Sequence, residues 1–292
     1  MKISKLIKDS SYAIYGLGLS GNSVVKFLKK KNIKKIYTWD DKKNKNNKKK
    51  FNLFLKILDE VNYIVISPGI NVQKTKFKLK LFNNKKKIIT DLDLFYMQKI
   101  PVISIVITGT NGKSTACKLT QHIFNTNKLD AQLGGNIGKP ILDLKIKRKS
   151  IIIIEASSFQ LSHTKFIKPN FAAILNISND HLDWHNTMGN YKDSKFKIFA
   201  KQDSSDIALL SDKKLIRLFR NNNYLSKLKI VKKYFLNNLI KKLINNDYLI
   251  SEPNLKNLAF VYQISKMFNI KEKNFLKAVN NFKGLPHRHE IF

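Results

Sequence analysis

Cysteine is nearly missing from this 292-residue chain. The single thiol, Cys117, cannot close an internal disulfide, so a disulfide-framed scaffold and a cysteine-ligated metal site are both unexpected, and a cytoplasmic location follows. Arginine is almost as scarce, occurring only at Arg148, Arg217, Arg220 and Arg288. The net charge of +35 therefore comes from lysine, and arginine is the side chain best shaped for bidentate phosphate and base contacts. With asparagine inflated to 32 residues as well, the charge reads as drift in tolerant surface positions, and no nucleic-acid partner is expected. Long apolar runs are absent: Val102 to Ile107 and Ile151 to Ile154 are strand-sized, against the ~20 residues of a membrane helix. The stretch from Tyr12 to Leu19 follows Asp9 and is broken by glycine, which excludes a signal-peptide core and leaves no membrane insertion. Disorder is excluded by 43% hydrophobic and 11% aromatic residues, and the length suits two domains.

Glycine is sparse too, with 11 residues, and its positions are informative for that reason. Glycine goes where φ must be positive or where backbone approaches a ligand closely. The clusters fall at residues 16, 18 and 21, at 109 and 112, and at 134, 135 and 138, with single glycines at 69, 189 and 284. Between them the chain alternates short apolar strands with helical periodicity. Tyr12 to Tyr15, Ile36 to Trp39, Tyr63 to Ile66 and a short strand near Ile88 and Ile89 form one set, with a helix over Val24 to Lys31. Strands at Val102 to Ile107, Ile151 to Ile154, Phe171 to Ile177 and Ile207 to Leu210, with a helix from Lys113 to about Asn125, form the second. Residues 255–268 and 272–282 read as amphipathic helices, residues 215–248 carry no clear pattern, and the Lys/Asn run from Lys42 to Lys50 reads as a solvated loop. The expectation is α/β: a Rossmann-like N-terminal domain over residues 1–98, then an ATP-binding P-loop-type domain with a mostly parallel sheet over residues 99–292.

Gly16-Leu17-Gly18-Leu19-Ser20-Gly21 matches G-x-G-x-x-G after a strand and before a helix, with Asp40 closing the next strand. Such a turn seats a phosphate on a helix N-terminus; by itself it fits a nicotinamide cofactor, another nucleotide or a plain tight turn. Gly109-Thr110-Asn111-Gly112-Lys113-Ser114-Thr115 follows a strand and opens a helix. Its N–H groups would cradle phosphates, Lys113 would neutralise them and Ser114 would reach Mg²⁺, although Ile107 stands where the standard spacing has glycine. Glu155, after four isoleucines, would sit at the carboxyl edge of the sheet, where ligands bind in open α/β folds; the alternative is an ordinary surface charge. His181, between Asp180 and Asp183, should converge with it, whereas His122, His163 and His185 read as structural or exposed.

Together these residues resemble the Mur ligases, ATP-dependent amide-forming enzymes of peptidoglycan precursor and cell wall synthesis. The runs Glu155-Ala156-Ser157-Ser158-Phe159-Gln160-Leu161, Asn179-Asp180-His181-Leu182-Asp183 and Gly284-Leu285-Pro286-His287-Arg288, with the first glycine motif, resemble the D-glutamate-adding branch. The resemblance implies that ATP phosphorylates the alanine carboxylate of UDP-N-acetylmuramoyl-L-alanine and that the amine of D-glutamate attacks the acyl phosphate. It places Gly109, Thr110, Asn111, Gly112, Lys113, Ser114, Thr115, Asn257 and Arg288 on ATP. Leu19, Ser20, Asp40, Asp41, Lys42 and Gly69 would hold the UDP end, and Asn136, Ser157, Gln160 and His181 the muramoyl-alanine end. Ser114, Glu155, His181 and Lys195 would bind two magnesium ions, with Lys195 carrying a CO₂-derived carbamate; Lys113, His181 and Lys195 are the implied catalytic residues. Two departures stand out: Ser251 to Asn257 lacks the family's glycine and histidine, and a C-terminal amino-acid-binding domain is expected to be absent. That leaves three expectations open: a separate chain supplying the missing domain, another ligase of the Mur or folylpolyglutamate type, and a non-catalytic remnant that binds UDP-substrate or ATP.

Overall fold

The computed structural model describes residues 5–44, 47–232 and 243–285. After a short helix α1 (Lys5–Lys8), four strands form the first sheet: β1 (Tyr12–Tyr15), β2 (Ile36–Trp39), β3 (Tyr63–Ile66) and β4 (Ile88–Ile89). Their order is β2-β1-β3-β4 and every pairing is parallel. Parallel neighbours require crossovers, here α2 (Leu19–Lys30), α3 (Lys48–Glu60) and α4 (Lys78–Asn83), which cover both faces. Alternation along the strands divides the core. Ala13, Tyr15, Ile64 and Ile66 pack with Phe54, Ile57 and Leu58 of α3, while Tyr12, Ile14 and Val65 pack with Val24, Phe27 and Leu28 of α2. Helix α5 (Asp91–Met97) then leads away; Leu94 and Met97 join the first core, and Leu92 and Phe95 join that of the second sheet.

The second sheet is six-stranded and parallel throughout, in the order β10-β9-β8-β5-β7-β6. In chain order it comprises β5 (Ile103–Thr108), α6 (Lys113–Thr126), β6 (Ala131–Gly135), β7 (Ile151–Glu155), α7 (Ser158–His163), β8 (Phe171–Ile174), α8 (Leu182–His185), α9 (Met188–Phe196), β9 (Ile207–Leu210), α10 (Lys213–Asn221) and β10 (Lys227–Ile230). Helices α11 (Glu252–Met267) and α12 (Glu272–Asn280) follow. Ile105, Ile107, Ile151 and Ile153 point to Ala116, Leu119 and Ile123 of α6 and to Leu258 and Val261 of α11. On the opposite face Val106, Ile152 and Ile154 meet Leu161, Phe196, Phe199 and Phe219. The carboxyl ends of β5, β7 and β8, adjacent in the sheet, therefore open at one edge.

Several expectations shift. The strand expected to run from Phe171 to Ile177 ends at Ile174, because Asn176 turns to hydrogen-bond the loop after β5. The expected loop from Lys42 to Lys50 is helical from Lys48 onward, where the Asn47 side chain accepts from the Lys50 amide at 2.8 Å. The unpatterned stretch after Leu215 holds the rest of α10 and then β10. Strand β6 had no strand signature, since two of its five residues are glycine. Among the described residues no helix is long and apolar enough to cross a membrane.

Candidate active site at the edge of the second sheet

The loop between β5 and α6 is gripped from three sides. Asn176 reciprocates with Asn111, its Oδ1 accepting from the Asn111 amide at 2.9 Å and its Nδ2 donating to the Asn111 carbonyl at 3.0 Å. Thr110 Oγ1 lies 3.0 Å from the Tyr191 hydroxyl and accepts from the Ser178 amide at 3.0 Å. Gly112, at φ +83°, is the N-cap of α6, and a Cβ there would fall 2.2–2.6 Å from the Asn257 amide group. Asn257 of α11 thus lies directly over the loop, despite the altered sequence around it. Lys113 Nζ donates to the Gly109 and Thr110 carbonyls at 3.0 and 2.7 Å. Ser114 and Thr115 begin α6, whose first turn has no acidic residue or side-chain cap, so its N–H groups present positive potential at the loop.

Lys195 approaches the same carbonyl. It is buried (1% exposed), its Nζ donates to Gly109 O at 2.8 Å, and it lies 4.6 Å from the Tyr191 ring centroid. Burial, with repulsion from Lys113 and a smaller opposing attraction from Asp180, brings its ammonium down from 10.5 to about 7. The amine is therefore partly neutral near physiological pH, the state in which a lysine is nucleophilic.

On the neighbouring strand end, Glu155 is buried; its Oε1 accepts from Asn136 Nδ2 at 2.9 Å, and its Oε2 has no partner among the described residues. A buried carboxylate oxygen with no donor is costly, and a cation would satisfy it. Ser157 caps α7 in a reciprocal box: Gln160 N donates to Ser157 Oγ, and Gln160 Oε1 accepts from Ser157 N, each at 3.2 Å. Gln160 is itself buried. His181, at φ +52°, is the N-cap of α8 and is partly exposed; its ring is 4.7 Å from Phe159 of α7 and its Nε2 is 3.4 Å from Asp180 Oδ2. His181 thus packs on the helix that follows Glu155 in the chain. His185, set aside from sequence, is buried against Ser158 Oγ at 3.0 Å and stacks on Phe159, and burial lowers it to about 4, so it is neutral. No three His, Cys, Asp or Glu side chains form a ready metal cage among the described residues. Asn176 and Tyr191 are the residues that sequence reasoning passed over or used only for spacing; their signal is position just beyond a strand and facing one on a helix. Arg288 lies outside the described residues.

At the first sheet, Asp40 organises the glycine turn: its Oδ2 accepts from the Leu17 amide at 2.7 Å and its Oδ1 from the Lys42 and Lys43 amides at 3.1 and 3.2 Å. Those bonds, led by the Leu17 amide, hold its carboxyl below the usual range. Asp41 accepts from the Tyr15 hydroxyl and from Trp39 Nε1 at 2.6 and 2.8 Å. Leu19 is 85% exposed at the start of α2, whose N-cap, Gly18, supplies no side-chain bond; Ser20 follows, and Gly69 has open space around it.

A family model for the Mur ligase middle domain matches residues 107–274, and one for the MurD-like N-terminal domain of Mur ligases matches residues 10–89. The chain belongs to the Mur ligase family. Among curated relatives of this Mur ligase, the UDP-N-acetylmuramoylalanine--D-glutamate ligase of Aquifex aeolicus (strain VF5) is 30% identical over 96% of the chain and 67% of its own length. The relative of the same name from Rickettsia prowazekii (strain Madrid E) is 33% identical, over 96% and 68%. The chain therefore spans about two thirds of these relatives. The solved UDP-N-acetylmuramate:L-alanyl-gamma-D-glutamyl-meso-diaminopimelate ligase from Neisseria meningitides shares the fold, with a TM-score of 0.60 at 13% identity over 94% of this chain and 99% of that one.

Proposed function

We propose that this Mur ligase is an ATP-dependent amide-forming ligase that joins D-glutamate to UDP-N-acetylmuramoyl-L-alanine in peptidoglycan precursor synthesis, acting in the cytoplasm. The observation that carries the reading is the name shared by relatives at 30–33% identity over 96% of the chain. The geometry agrees with it. The Gly109–Thr115 loop and the α6 N-terminus would bind the ATP phosphates, with Lys113 swinging from its loop carbonyls to the γ-phosphate, and Asn257 and Arg288 toward the nucleoside. Leu19, Ser20, Asp41, Lys42 and Gly69 would hold UDP on a turn shaped by Asp40. Asn136, Ser157, Gln160 and His181 would take the muramoyl-alanine end. With a division at residues 1–98 and 99–292, the two ends of that substrate would lie on different sheets.

The alanine carboxylate would attack the γ-phosphorus, forming one P–O bond as the bridge to ADP breaks. The D-glutamate amine would then attack the acyl phosphate, lose a proton and expel phosphate to leave the amide. Ser114, Glu155, His181 and a Lys195 carbamate would hold two Mg²⁺, which when bound supply charge neutralisation. The orphaned Glu155 oxygen fits that ion. Burial of Lys195 fits the modification: its neutral amine adds to CO₂ and releases a proton, turning a cation into an anionic oxygen donor.

The test is incubation with ATP, Mg²⁺, bicarbonate, UDP-N-acetylmuramoyl-L-alanine and radiolabelled D-glutamate. The reading expects labelled UDP-product and phosphate with D-glutamate alone among amino acids tried. Another preferred amino acid, turnover only once a separate chain is added, or binding without turnover would each replace part of it. Absence of both binding and turnover would overturn it.

A further inference from the structure

The first residue of α5, Asp91, belongs to neither matched family segment, since it falls between residues 89 and 107. It is a buried carboxylate (3% exposed) wedged between the two sheets. Its Oδ1 accepts from the Leu92 amide at 3.0 Å and, across 69 residues of sequence, from Gln160 Nε2 at 3.2 Å. Its Oδ2 has no partner among the described residues. Two residues on, Asp93 forms a parallel tie: its Oδ1 accepts from the Lys165 and Phe166 amides at 2.8 and 2.7 Å, and its Oδ2 from Thr90 N at 2.9 Å.

The two ties differ in what they hold. Asp93 grips backbone and would serve any packing of α5 on the second sheet. Asp91 grips a side-chain amide, and an amide has two unlike ends. With Nε2 committed to Asp91, Gln160 must turn Oε1 toward Ser157, where it accepts from both the Ser157 amide and Oγ at 3.2 Å. Flipping the amide would set Oε1 against the Asp91 carboxylate and Nε2 against the Ser157 N–H, so the carboxylate makes one orientation strongly preferred. That orientation fixes the Ser157 hydroxyl, which donates to Gln160 Oε1, at the end of the Glu155-Ala156-Ser157 run.

We infer that Asp91 is a positioning residue for the UDP-substrate: by orienting the Gln160 amide it holds Ser157 and the cap of α7 in the geometry that receives the muramoyl-alanine end. This rests on the reading of Ser157 and Gln160 as substrate-side residues. The same bond makes that site depend on α5, the segment leading out of the first sheet.

Calorimetric titration of the whole chain with UDP-N-acetylmuramoyl-L-alanine, and separately with Mg²⁺-ADP, tests it. Asp91→Ala should weaken UDP-substrate binding about tenfold, the loss of one hydrogen bond to a charged group, and leave Mg²⁺-ADP binding unchanged. Asp91→Asn, whose Oδ1 can still accept from Gln160, should bind UDP-substrate within about threefold of wild type. If Asp91→Ala does not fold, Asp91→Glu, which displaces the acceptor by one methylene, should show the same selective loss. Unchanged UDP-substrate affinity in Asp91→Ala or Asp91→Glu, equal loss of both ligands, or an Asn variant as weak as Ala would overturn the inference. If the wild-type chain binds Mg²⁺-ADP but not UDP-substrate, or if Ser157→Ala binds UDP-substrate as tightly as wild type, the underlying reading of the site has failed instead, and the inference with it.

Discussion

Replacing Lys195 with methionine should make the protein more stable, by an amount that shrinks as pH rises. The side chain is buried and its ammonium is brought from 10.5 to about 7. Between those values the unfolded chain binds the proton and the folded chain does not, so wild-type stability climbs with pH across that window. The cost of the buried charge is fully present below the folded value and vanishes above 10.5. At about 1.36 kcal/mol per unit it amounts to about 5 kcal/mol at pH 6, ~3 at pH 8, ~2 at pH 9 and under ~1 at pH 10. Methionine fills similar volume with no charge, and the Gly109 carbonyl that loses the Lys195 bond still accepts from Lys113. Urea unfolding of wild type and Lys195→Met in CO₂-free buffer at pH 6, 8 and 10 would measure the difference. A gain of several kcal/mol at pH 6 that falls toward zero at pH 10 is expected. A gain independent of pH, or one that grows with pH, would show that Lys195 is not held near neutrality by burial, and the case for its carbamate would fall with it.

Lys195→Ala should lose ligase activity, and short-chain carboxylates such as formate or acetate should partly restore it by supplying the missing oxygen ligand; full activity in the unsupplemented variant would refute the role. Glu155→Gln keeps an acceptor for Asn136 but removes the charge, so Mg²⁺-dependent strengthening of nucleotide binding should fall at least about tenfold while the unfolding free energy from urea titration stays within ~1 kcal/mol of wild type. Gly21→Ala places a Cβ 1.8 Å from the Gly16 carbonyl oxygen, and its cost, read by thermal unfolding, should be about 2–4 kcal/mol. Asn257→Ala should weaken ATP binding several-fold, measured by calorimetry, because the Asn257 amide lies directly over Gly112 of the phosphate loop.

Local pattern was enough to read much of this protein. Strands such as Tyr12–Tyr15 and the run from Ile151 to Ile154 are continuously apolar because both faces of a parallel sheet are covered, and that composition is visible in one dimension. The two glycine loops were legible because a strand, a glycine-punctuated turn and a helix start follow one another directly in the chain. The relation between distant residues was not legible. Nothing in sequence sets Asn176 against Asn111, Asn257 over Gly112, or Lys113 and Lys195 on the same carbonyl; those pairings follow from strand order β8-β5-β7 and from the packing of α11 on α6. Tertiary structure alone decided that Lys195 is desolvated, that one Glu155 oxygen lacks a donor and that Asp91 governs an amide 69 residues away. A charge's burial and partners belong to its surroundings, and those exist only once the chain has folded.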